Sequence, residues 1–105
     1  MRSQSFHDYI VYGLLASNPG ITSRAMFSGW GLYKNGLIFG IIVGETLYCK
    51  FNKHSRKIFE KLESAPFTYQ RKNGKTISMS YWSVPEELRD DRKRLYELVE
   101  LSSRK

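Results

Sequence analysis

The stretch Lys34-Asn35-Gly36-Leu37-Ile38-Phe39-Gly40-Ile41-Ile42-Val43-Gly44-Glu45-Thr46-Leu47-Tyr48-Cys49-Lys50-Phe51 decides the fold. Asn35-Gly36 is the pair that a two-residue type I′ hairpin turn demands, because both central residues take positive φ. Leu37 to Val43 is apolar on both faces and reads as a central strand. It is far too short for the ~20 residues of a membrane span. Gly44-Glu45 fits a second tight turn, of type II′. Thr46 to Phe51 then alternates, with Leu47, Cys49 and Phe51 on one face and Tyr48 and Lys50 on the other. With a third hairpin downstream, these tight turns make the sheet largely antiparallel.

The pattern continues outward in both directions. Upstream, Arg24–Phe27 and Trp30–Tyr33 are short β-like runs separated by Ser28-Gly29. Before them, Phe6, Tyr9, Ile10, Gly13 and Leu14 recur at helical spacing and predict a helix over 5–18. Asn18-Pro19-Gly20 ends it, because proline cannot continue a helix and disfavours helical geometry in the residue before it. Downstream, Asn52 is the expected N-cap of a helix over 53–63 with Ile58, Phe59 and Leu62 inward. Phe67–Arg71 and Lys75–Trp82 flank Asn73-Gly74, a third hairpin signal. Ser83 and Glu86 have capping-box spacing, and Pro85 is tolerated in a first helical turn, so the last helical segment starts there. Leu88, Leu95, Leu98 and Val99 face inward, and Asp90 marks a point where this segment can break. The expected fold is α+β in two layers, with a largely antiparallel sheet packed against helices in the order α-β-β-β-β-α-β-β-α. It forms one domain over 1–105.

The chain has 105 residues, of which 41% are hydrophobic and 26% charged, ordinary globular usage that argues against disorder. No signal peptide is read at the N-terminus, and one cysteine cannot build a disulfide framework, so a cytoplasmic protein is expected. The net charge of +7 is unevenly placed. Residues 50–75 carry eight cations against Glu60 and Glu63, a net of +6.

Catalytic chemistry is hard to assemble from this inventory. Metal sites need several soft or imidazole ligands converging, whereas His7, His54 and Cys49 have no useful spacing. A Cys49–His54 nucleophile pair has no evident third residue to orient the base, and stands against a buried structural cysteine and a solvated histidine. Gly29-Trp30-Gly31 lacks the pattern and the strand-to-helix context of a phosphate loop. No enzyme, metal or cofactor is expected.

Two constellations remain. Lys53, Lys57 and Lys61 are spaced four apart, which stacks them on one helical face with Arg56 beside them, and the following hairpin adds Arg71, Lys72 and Lys75. Like charges at that spacing disfavour a helix. The segment is either a solvated polar face or a contact for nucleic acid or another polyanion. The second constellation is Met26–Tyr33, rich in aromatics and glycine. It reads either as core packed under a helix, with glycines permitting a bulge or close backbone contact, or as an exposed stacking surface built on Trp30 and Tyr33. Tyr69, Tyr81 and Trp82 invite the same pair of readings.

The series Arg24-x-Met26-Phe27-x-Gly29-x-Gly31-x-Tyr33, Leu47-Tyr48-x-Lys50, Pro66-Phe67-x-Tyr69, Gly74-Lys75, Met79-x-Tyr81, Val84-Pro85-Glu86-Glu87 and Asp90 resembles the N-terminal domain of the TfoX/Sxy competence regulators. It spans about residues 20–102, and Ser28 stands where the family often has glycine. The resemblance implies a bacterial, non-enzymatic regulatory and protein-interaction module with no catalytic residues. It also implies a role in DNA-transformation competence and transcription regulation, with a protein partner such as the cyclic-AMP receptor protein. Full-length regulators of this kind carry a second domain, so this chain reads as a stand-alone version. The matching residues read as fold determinants, and a homodimer through the edge strands is conceivable.

Overall fold

A computed structural model describes residues 3–26 and 29–104. It forms one six-stranded sheet, every pairing antiparallel, in the order β1-β2-β3-β4-β6-β5. The strands are β1 (Ile21–Met26), β2 (Gly29–Lys34), β3 (Leu37–Val43), β4 (Thr46–Lys50), β5 (Pro66–Gln70) and β6 (Thr76–Ser83). The helices are α1 (Gln4–Asp8), which runs on into a π-helical segment Tyr9–Leu14, then α2 (Arg56–Glu60), α3 (Glu86–Arg89) and α4 (Arg92–Ser102). The α+β class and the central place of β3 agree with the sequence.

The turns do what their residues require. Asn35 and Gly36 both have positive φ, of 51° and 83°, as the β2–β3 turn demands. Gly44 alone is positive in the β3–β4 turn, at 60°. The β5–β6 connection is longer than two residues. Gly74 donates to the Arg71 carbonyl and Arg71 donates to that of Lys75, with Gly74 at φ 85°.

The first helix departs from the 3.6 pattern. Leu15 donates to the Ile10 carbonyl, five residues back. The wider turn rotates the inward stripe, so Ile10, Val11, Leu14 and Leu15 are buried while Tyr9 and Gly13 are exposed. The expected helix over 53–63 shortens to α2. Ser55, not Asn52, stands at the N-cap position of α2, because the helix starts later than its apolar spacing suggests. Asn52 holds the turn before it, its Oδ1 accepting from the His54 and Ser55 N–H groups. Its Nδ2 donates instead to the carbonyls of Leu101 and Ser102, tying β4 to the end of α4. The capping box at Ser83 does not form. Ser83 is the last residue of β6, and its hydroxyl accepts from the Ala65 amide, while Pro85 precedes α3. The break at Asp90 is real: α3 ends there, and Asp91 caps α4 by accepting from the Arg94 amide.

All the helices contribute to a core on one side of the sheet. Ile10, Leu15, Phe59, Leu88, Leu95 and Leu98 meet Leu32, Phe39, Ile42, Leu47 and Cys49 there. A bulge in β3 makes this possible. Leu32 pairs with Gly40 but Tyr33 pairs with Ile38, leaving Phe39 as the extra residue, and it turns into the core. Phe51 and Trp82 stack at 4.8 Å, closing the core beside Phe59. Among the described residues no helix is long and apolar enough to cross a membrane.

Candidate functional site

Among the described residues, no helix packs on the opposite side of the sheet. Strand alternation and register place there Arg24 and Met26 of β1, facing Gly31 and Gly29 of β2, with Tyr33 beyond them. Ile41 of β3 faces Tyr48 of β4, and Lys50 faces Tyr81 of β6. Phe67 packs edge-on against Tyr48, at 5.3 Å between ring centres. Met26, Ile38, Ile41, Val43, Phe67, Tyr69, Met79 and Tyr81 enclose an open apolar groove of about 460 Å³. Ile41 is only 7% exposed, lying in the groove with Met26, Phe67, Met79 and Tyr81. Met26 and Tyr69, on the two edge strands, are the exposed rims at 36% and 44%. Burial, and after it the neighbouring Tyr33 phenol, push the Tyr81 hydroxyl above the usual tyrosine range.

This overturns one expectation. The Met26–Tyr33 run does not pack under a helix as a unit. Of its described residues, Trp30 and Leu32 turn to the helical side, whereas Met26, Gly29, Gly31 and Tyr33 face the groove side. Of the signature residues, Arg24, Met26, Gly29, Gly31, Tyr33, Met79 and Tyr81 all share this uncovered face. Pro85 is elsewhere, at the start of α3, and Phe27 lies outside the described residues together with the Ser28 position. Trp82 belongs to the core, whereas Tyr69 and Tyr81 do not. The period-2 apolar pattern Phe67-x-Tyr69 and Ile77-x-Met79-x-Tyr81 was the signal for such a face, but by pattern alone it is indistinguishable from a buried one.

The basic candidates are exposed. Lys53, Arg56, Lys57 and Lys61 lie on α2 and its flanking turns, so the four-residue spacing spans more than the helix and stacks no continuous helical face. Arg56 is ion-paired to Glu60 at 2.9 Å. Arg71, Lys72 and Lys75 are exposed in the β5–β6 connection. The last β4–β6 pair is Lys50 with Tyr81. Residues 76–80 therefore carry the tip past the end of β4 by about 16 Å at strand rise.

Cys49 is fully buried and its thiol is pushed up to about 12 by that burial, so it is no nucleophile at neutral pH. Among the described residues no three His, Cys, Asp or Glu side chains converge for a metal. One arrangement escaped sequence reasoning. The His7 ring stands 2.7 Å from Ser23 Oγ through Nε2 and 2.8 Å from Asp8 Oδ1 through Nδ1. That bond to His7, with a second from Gln4, holds the Asp8 carboxyl below its ordinary range. No short motif could reveal a partner as distant in sequence as Ser23. The atoms are those of a Ser-His-Asp relay, but the ring is buried against Trp30, 4.0 Å away. None of the three lines the groove. The arrangement fastens α1 to β1.

Comparison with curated proteins finds no match. The family model described as the TfoX N-terminal domain, a regulatory and non-catalytic type, matches residues 13–105. That span takes in the whole sheet and every residue of the groove, and the chain belongs to the TfoX N-terminal domain family.

Proposed function

We propose that this chain is a non-enzymatic regulatory module that works by protein contact, and that the uncovered face of the sheet is its contact surface. One observation carries the reading: seven family-signature residues gather on a single apolar face that no helix among the described residues covers. Residues needed only for the fold would be expected mainly in the core. A contiguous exposed apolar surface marks an interaction site, and tyrosine and methionine are favoured residues of contact surfaces. Family membership supports regulation of DNA-transformation competence as the process, and the partner class we propose is a transcription factor such as the cyclic-AMP receptor protein.

Site-specific photo-crosslinking in the native cell tests the surface. A photoreactive side chain in place of Tyr69 should give a discrete adduct, whereas one in place of Glu97, on the exposed side of α4, should not. Equal labelling from both positions, or no adduct from Tyr69, overturns the reading.

A second reading rests on the seven exposed cations of the 53–75 region, which suit nucleic acid or another polyanion. In this reading the groove is incidental and affinity is electrostatic.

A further inference from the structure

The charge of the sheet narrows what the groove would accept. The six strands contain Arg24, Lys34 and Lys50 and not one Asp or Glu. Lys34 is held at the β2–β3 end by Asn18. Of the charged residues of the strands, Arg24 and Lys50 are those on the groove side, Arg24 lying over the Tyr33 ring at 5.8 Å and Lys50 facing Tyr81. The cationic loop 71–75 stands at the far end of the β5–β6 arm, whose Phe67, Tyr69 and Met79 line the groove. The strands thus present an apolar trough whose own charged side chains are all positive.

Resting on the open-face reading above, we propose that the groove takes an acidic amphipathic segment of a partner protein. Its apolar side chains lie along Ile41, Met79 and Tyr81, and its carboxylates meet Arg24 and Lys50. Met26 and Met79 suit this, since their flexible thioethers adapt to an irregular ridge of side chains. A second copy of the chain is a poor occupant. It would set Arg24 and Lys50 against cations of the same surface, on two chains each carrying +7.

The test uses two synthetic amphipathic helical peptides with the same leucine face. One carries glutamates on its polar face and the other lysines. Fluorescence anisotropy at low salt should show the glutamate peptide binding the full chain at least about tenfold more tightly. Amide shift mapping should place the contact at Met26, Ile41, Phe67 and Met79. Arg24→Glu with Lys50→Glu, shown folded by far-UV circular dichroism, should reverse the preference. Equal affinity for both peptides overturns the proposal, as do shifts confined to 53–61 and 71–75. Self-association of the free chain through the groove residues overturns it in favour of a second copy. If Tyr69 traps a partner in cells but the glutamate preference is missing, the partner chemistry is wrong and the contact surface stands. If Tyr69 traps nothing, the surface itself is wrong.

Discussion

Gly29 and Gly31 stand two residues apart on β2, on the same face, and for different reasons. A Cβ on Gly29 would lie 1.9 Å from the Ile42 carbonyl oxygen, part of the neighbouring backbone. A Cβ on Gly31 would meet Met26 Sδ at 2.8 Å, the far end of a flexible side chain. Gly29→Ala must therefore push β2 from β3 and should cost about 2–3 kcal/mol, whereas Gly31→Ala should cost under about 1 kcal/mol. Urea unfolding of the two variants measures this, and equal losses would contradict it. The sequence already suggested that glycines here allow close backbone contact. Which glycine makes it depends on the register of β2 on β3, set by residues outside the motif. Cys49 is the simpler case: its place on the apolar face of an alternating strand was enough to read it as buried.

At the scale of elements, turn chemistry was the most legible signal, because Asn35-Gly36 and Gly44 meet a local backbone need that no distant contact changes. Helix ends were less legible. Ser83 satisfies the capping-box spacing but is claimed by β6, where its amide donates to the Ala65 carbonyl at 3.0 Å. The cap that forms is Asp91, which opens the helix α4 that buries Leu95, Leu98 and Val99. Asp91→Ala should destabilise the domain by about 1 kcal/mol, and Asp91→Ser should recover most of that. Denaturant midpoints decide it. If alanine and serine behave alike, the cap contributes nothing.

Across the whole molecule, two surfaces compete for the functional assignment, and they occupy different places. The cations of α2 belong to the helical layer, those of the 71–75 loop to the end of an arm, and the groove to the other face of the sheet. Lys53→Glu together with Lys57→Glu, both in the helical layer, should weaken low-salt retention on duplex DNA and flatten its salt dependence by about one per lost phosphate contact. The same variant should leave the Tyr69 crosslink unchanged. Anisotropy over a salt series, beside crosslink yield, separates the two. Loss of both activities together would mean one continuous surface and defeat the separate assignment.

The sequence by itself determined the α+β class, the hairpins, the break at Asp90 and the buried positions of α4. These follow from local backbone preference and from the periods of apolar residues. It also carried the family signature, but not its meaning. An apolar residue at alternate strand positions looks the same whether a helix lies over it or not. Only the tertiary structure decided that the helical layer gathers on the Leu32, Ile42 and Leu47 side, with Phe39 rotated in by the bulge. That choice left Met26, Tyr33, Met79 and Tyr81 on the uncovered face, turning residues that read as core into a candidate contact surface.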